Sequence, residues 1–145
     1  MIKAWSYKEE YKLLSNKILK SLDKVFKSNQ LFFGEELKKF ERIFLKTNKS
    51  KYGIGVKSGT EALIVALKTL KIKINDEVIT VSNTAIPTIS AIKNVGAKVK
   101  FVDVGNDYLI DTEDLKKKIT SKTKAIIVVH LYGQSCDMTK ICAIA

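Results

Sequence analysis

The chain has 145 residues, 46% of them hydrophobic, which is enough to build a core within one domain or part of a larger one. A single proline and seven glycines exclude a disordered linker. The formal net charge of +11 raises a nucleic-acid interface, but Arg42 is the only arginine and the lysines are scattered from Lys3 to Lys140. Arginine is the preferred base reader and bidentate phosphate binder, so the lysine bias reads as a solubilising surface, not as DNA or RNA binding.

Cys136 and Cys142, the only cysteines, match neither a redox pair nor a zinc knuckle, and His130 is the only histidine, so no metal site is expected. Two ordinary thiols suit a reducing cytoplasm. Met1-Ile2-Lys3-Ala4-Trp5-Ser6 carries no signal-peptide apolar segment, and no apolar run approaches the ~18 residues of a membrane helix. A cytoplasmic protein is expected.

In chain order, Tyr11, Leu14, Ile18, Leu22 and Val25/Phe26 recur every three or four positions and predict a helix from Tyr7 to Lys27. Ser28-Asn29-Gln30 and Gly34 break the chain. Leu37, Phe40, Ile43 and Phe44 predict a second amphipathic helix from Glu35 to about Lys46. Lys51 to Lys57 reads as short and β-like, and Ser58 to about Leu70 as helical. Strands follow at Glu77 to Val81, Lys98 to Val102 and Ala125 to Leu131, with helices at Ile86 to Val95 and Thr112 to Ile119. A last helix starts near Asp137-Met138 and is still apolar at Ala145, which reads as truncation. This β-α alternation predicts a three-layer α/β/α fold with a mostly parallel sheet, and the two opening helices stand outside the repeat.

The sharpest local feature is Val56-Lys57-Ser58-Gly59-Thr60-Glu61-Ala62-Leu63, where a strand meets a helix. Ser58 can cap the helix, with Glu61 closing a capping box. Gly59 lets a ligand approach the backbone. The first N–H groups, near Gly59, Thr60 and Glu61, have no intrahelical partner and suit an anion at the positive end of the dipole. A plain capped helix explains the same string. Neither a P-loop nor a dinucleotide fingerprint is present: Gly53, Gly55 and Gly59 have the wrong last gap.

Gly34-Glu35-Glu36-Leu37 with Phe40-Glu41, then Gly55 to Leu63, resembles the opening of DegT/StrS-type sugar aminotransferases. Asp76-Glu77-Val78-Ile79-Thr80, Asn83-Thr84 with Thr88, Gly96-Ala97, and Phe101-Val102-Asp103-Val104 continue the resemblance. So do Lys122 to Ile127, Val129-His130-Leu131-Tyr132-Gly133-Gln134 and Asp137-Met138. The match runs from Gln30 onward. It implies the large domain of a fold-type I aminotransferase, here incomplete, with residues 1–33 a helical segment and 34–145 the start of the pyridoxal 5'-phosphate-binding domain. It implies a homodimer that moves an amino group from glutamate to a nucleotide-linked keto sugar. Ser58, Gly59, Thr60 and Glu61 would hold the cofactor phosphate. Where the family often places an aromatic residue against the cofactor ring, this chain has Ala85. Asn83 to Pro87 also reads as an ordinary helix start with Pro87 in the first turn.

His130 and Tyr132 are candidates for acid–base work, or simply the end of a buried strand at the edge where ligands gather. Asp103 reads as a turn former. Transamination needs a lysine linked to the cofactor and an acid at its pyridine nitrogen. The resemblance puts both beyond Ala145, so no catalytic residue is assigned here and the chain by itself is expected to be inactive. Two other readings remain: a sugar dehydratase of the same family, in which that lysine is replaced, and a non-catalytic module that binds a phosphate compound or a partner.

Overall fold

The computed structural model describes residues 5–145; Met1–Ala4, most of the segment that argues against a signal peptide, lies outside the described residues. The chain divides between Gly55 and Val56.

The first unit carries α1 (Tyr7–Lys27) and α2 (Glu35–Thr47). Both have glutamates in the first turn and lysine in the last, which complements the helix dipole. The chain leaves α1 through Asn29 at φ 54°, a conformation that asparagine tolerates better than most residues. Lys24 pairs with Glu36 across the two helices. The amphipathic pattern is present, but neither helix buries a residue, and Leu14, Ile18, Leu22, Phe40, Ile43 and Phe44 are all exposed.

The β-like segment expected at Lys51–Lys57 is not a strand. No described strand pairs with it, and the Gly55 N–H donates to the Glu41 Oε1 at 2.8 Å instead of to a ladder. A Cβ at Gly53 would come within 2.8 Å of Leu45 Cδ2. Gly53 and Gly55 therefore lie close against α2.

The second unit is α3 (Gly59–Thr69), β1 (Glu77–Val81), α4 (Ile86–Asn94), β2 (Lys98–Val102), α5 (Thr112–Lys118), β3 (Thr123–Ile126) and α6 (Met138–Ile144). The three strands form one parallel sheet in the order β2-β1-β3, with Ile79 opposite Lys100 on one side and Ile126 on the other. Alternation along β1 sends successive side chains to opposite faces. Val78 packs with Leu67, Ala91, Ile92 and Ala97 of the α3/α4 side. Ile79 and Val81 pack with Leu115, Cys136 and Ile141 of the α5/α6 side. The result is helix on sheet on helix, as expected. The one fully buried polar side chain in β1, Thr80, donates Oγ1 to the Ile127 carbonyl at 3.0 Å.

The strand expected at Ala125–Leu131 begins two residues earlier and ends at Ile126. The Ile127 N–H still reaches the Ile79 carbonyl at 2.8 Å, but β1, its one neighbour, ends at Val81. From there the apolar residues Val128 and Val129 pack on the core outside any ladder, as does Leu131, which opens a short 3-10 turn, Leu131–Gly133.

At the other end of the sheet, the Glu77 carboxylate accepts from Thr120 Oγ1 at 2.7 Å, Lys100 Nζ at 3.2 Å and Thr123 Oγ1 at 3.4 Å. The Thr120 hydrogen bond first, then that from Lys100, hold its pKa below the ordinary carboxylate value. A depressed folded pKa stabilises above the unfolded value of about 4.3, and that stability is lost as pH falls through the folded pKa. Glu77→Gln is therefore expected to lower the urea midpoint at about pH 7 and to shrink the drop in midpoint between about pH 7 and about pH 3. An unchanged pH dependence would show that the clamp contributes nothing.

Candidate functional site

Parallel strands joined by helices put the start of every crossover helix at the carboxyl edge of the sheet. α4 runs from the end of β1 to the start of β2. The exits of α3 and α4 lie together: a Cβ on Gly96, just past α4, would meet Ile74 Cγ1 at 2.8 Å. The two helices pack side by side through Leu67, Ala91 and Ile92. α3 leads into the start of β1 and α4 into the start of β2, so Ser58, Gly59, Thr60 and Glu61 at one entry and Ala85 at the other lie toward the carboxyl side of the sheet.

At the α3 entry, Ser58 is extended (φ −162°, ψ 163°) and its side chain accepts from the Glu61 N–H at 3.2 Å. The Ala62 N–H closes the first helical bond onto the Ser58 carbonyl at 3.0 Å. That leaves the N–H groups of Gly59 and Thr60 as the unclaimed donors of the first turn, with the helix dipole behind them. The Glu61 N–H is already engaged in the cap. A Cβ on Gly59 would meet no atom within 4 Å, so the space above these donors is open.

The capping box forms only halfway. The Glu61 carboxylate does not return to the Ser58 N–H; it pairs with Lys57 Nζ at 3.3 Å. This pairing suits an anion site, because it offsets a negative charge one turn from the donors. Two amides, the Thr60 hydroxyl and a glycine with open space are a donor set that fits a phosphate group. Ser58→Ala is expected to cost about 1 kcal/mol through loss of the cap, read as a lower thermal midpoint; an unchanged midpoint would mean that the cap does not hold this turn.

Ala85 is the N-cap of α4 with no side-chain hydrogen bond, Pro87 follows in the first turn, and Thr84 Oγ1 lies 2.8 Å from Thr88 Oγ1. Ala85 is exposed and offers only a methyl group. Asp103 is not the turn former: it precedes the Val104–Ile110 antiparallel bridge, where its carbonyl accepts the Asp111 N–H at 2.9 Å, and the turn is held by Asp107, whose Oδ1 accepts the Leu109 N–H at 3.1 Å.

His130 and Tyr132 do not finish a buried strand, because β3 stops at Ile126. Both are exposed, Tyr132 almost completely and with a left-handed backbone (φ 52°), followed by Gly133 at φ 82°. His130 Nδ1 accepts the Cys136 N–H at 3.0 Å. That link was not legible in the sequence, where Cys136 has no motif; the Tyr-Gly pair was the one local sign of a tight turn. Among the described residues no group of three or more His, Cys, Asp or Glu side chains is placed to hold a metal ion, and no helix is long and apolar enough to cross a membrane.

The model of the DegT/DnrJ/EryC1/StrS aminotransferase family matches residues 12–145. The chain is 44% identical over 138 residues to a dTDP-3-amino-3,4,6-trideoxy-alpha-D-glucose transaminase of Micromonospora megalomicea subsp. nigra; the match covers 94% of this chain and 37% of the relative. It superposes on DesV of S. venezuelae, solved in complex with a ketimine intermediate, with a TM-score of 0.93 and 33% identity, covering 97% of this chain and 38% of that one. It also superposes on a GDP-4-keto-6-deoxymannose-3-dehydratase holding a trapped PLP-glutamate geminal diamine, with a TM-score of 0.80 and 34% identity, covering 87% and 34%. The chain thus spans little more than a third of the length of these relatives. Its solved relatives are fold-type I enzymes, the family's cofactor is pyridoxal 5'-phosphate, and the layered sheet of Val56–Ala145 is part of that fold. By sequence and by fold, this chain belongs to the DegT/DnrJ/EryC1/StrS aminotransferase family.

Proposed function

We propose that the chain is the amino-terminal part of a cytoplasmic, homodimeric aminotransferase that transfers an amino group from glutamate to a nucleotide-linked keto sugar. Residues 34–145 open the cofactor-binding domain in this reading, and residues 1–33 lead into it. The observation that carries it is the α3 entry: free Gly59 and Thr60 N–H groups and open space over Gly59, set at the carboxyl edge of a parallel sheet. The Gly59 and Thr60 amides and the Thr60 hydroxyl bind the cofactor phosphate. Ser58 shapes the turn, and Glu61 acts through the cap and its pairing with Lys57. Ala85 lies beside the ring as a small apolar contact.

When bound, pyridoxal 5'-phosphate supplies an electron sink for breaking and making bonds at the carbon that bears nitrogen. The lysine that links to it and the acid that faces its ring nitrogen belong to sequence following Ala145. The purified 145-residue chain is accordingly expected to give no 2-oxoglutarate from glutamate in the presence of cofactor and a nucleotide keto sugar. Glutamate-dependent transfer by that chain would contradict this assignment. The intact mass of the native protein is the companion measurement: a mass more than twice the 16.3 kDa of this chain supports it, and 16.3 kDa would favour the phosphate- or partner-binding module.

The second reading, a sugar dehydratase, is favoured by the likeness to the GDP-4-keto-6-deoxymannose-3-dehydratase. The residue at the lysine position downstream separates the two: lysine supports the transferase, and any other residue supports the dehydratase.

A further inference from the structure

His130 is the one histidine of the chain, and nothing in the phosphate site uses it. Its place follows from strand register. β1 and β3 are parallel neighbours, and Thr80 and Ile127 are joined by the Thr80 Oγ1 hydrogen bond to the Ile127 carbonyl. Asn83 lies three residues past Thr80, and His130 three residues past Ile127. Both residues thus follow the carboxyl ends of adjacent strands, β1 ending at Val81 and β3 at Ile126.

The ring is tethered. Nδ1 accepts the Cys136 N–H at 3.0 Å, and Cys136 Sγ donates to the Val129 carbonyl at 3.3 Å. Cys136 is buried with Leu115 and Ile141, so the tether is anchored in the core. A neutral imidazole that accepts at Nδ1 carries its proton on Nε2. Nε2 makes no hydrogen bond among the described residues, and the residue is exposed. One N–H donor is thus held in a fixed tautomer at the edge where the phosphate donors lie.

We propose that His130 is a ligand-binding residue that donates its Nε2 proton to an oxygen substituent on the ring of pyridoxal 5'-phosphate, outside its phosphate, with the Cys136 amide setting the tautomer in advance. This rests on the reading of the α3 entry as the phosphate site, and the test separates the two. Long-range proton–nitrogen NMR of the imidazole reports on His130 alone, because no other histidine is present. In the free chain the proton is expected on Nε2. Pyridoxal 5'-phosphate is expected to move the Nε2 resonance together with the Gly59 and Thr60 amides; inorganic phosphate is expected to move only those amides.

A proton on Nδ1 overturns the proposal. So does a cofactor titration that moves Gly59 and Thr60 but leaves His130 in place, which spares the phosphate reading. If none of the three moves, both readings fall. His130→Asn supplies a control that keeps the turn, since the Asn Oδ1 sits where Nδ1 did and can accept the Cys136 N–H, but nothing reaches the Nε2 position. Its fold is expected to be intact and its cofactor affinity about tenfold weaker, the size of one hydrogen bond to a charged acceptor. Unchanged affinity in a folded variant would reduce His130 to a turn-closing residue and overturn the proposal.

Discussion

Gly59→Val is expected to leave the thermal midpoint within a few degrees of the wild type and to weaken pyridoxal 5'-phosphate binding by at least about tenfold. The two effects separate because of where the glycine sits. Its backbone is helical, with no left-handed φ that a side chain would strain, and a Cβ there would touch no atom within 4 Å. The folded chain therefore has little reason to notice the change. A phosphate seated on the Gly59 and Thr60 N–H groups would meet the isopropyl group directly, and each hydrogen bond to a charged acceptor is worth about 1.5–3 kcal/mol. Calorimetric titration with the cofactor and a thermal melt of the same preparation check both halves. Equal affinity in wild type and variant would mean that the phosphate binds elsewhere.

Ile79→Ala is expected to have the largest effect on stability, about 2–5 kcal/mol. Ile79 is fully buried in β1, the central strand, and packs against the α5/α6 side with Val81, Val102 and Leu115. Removing its side chain loses apolar burial and leaves a cavity that parallel neighbours on both edges prevent from collapsing. Total stabilities of small domains are about 5–15 kcal/mol, so this one change would bring the chain close to unfolding. Ile86→Ala is the matching control: Ile86 is exposed, and its loss should fall within about 0.5 kcal/mol. Urea unfolding of the two variants beside the wild type decides it, and a small loss at Ile79 would mean that the sheet core is not the stable part of the molecule.

The helices and two of the strands were legible in the sequence because their signals are local. The boundaries of α1, β1 and β2 follow from apolar spacing and from the breaks at Ser28, Gly96 and Asp103. Ser58 and Asp137 both cap as their side-chain chemistry suggests, each accepting from the N–H three residues on. What failed depended on partners that spacing does not reveal. Lys51–Lys57 has the composition of a strand but pairs with no described strand, and Gly55 spends its N–H on Glu41. Val128, Val129 and Leu131 are apolar enough for β structure, yet β1 ends at Val81, opposite Val128, and they pack without a ladder.

The site was readable in the same uneven way. Ser58, Gly59 and Thr60 were found because a helix entry is a local motif, and Ala85 was placed only through resemblance. The choice of Glu61 between Ser58 and Lys57 depends on side-chain competition in three dimensions, and so does the His130–Cys136 tether. Neither has a signature in the order of residues.

The absorption spectrum of the full-length protein, loaded with pyridoxal 5'-phosphate and then given glutamate, tests the central claim most directly. The account predicts a bound cofactor whose visible band is lost as glutamate is added, with one 2-oxoglutarate released per site. A full-length protein that takes up no cofactor, or one whose bound cofactor shows no change with glutamate, would contradict it.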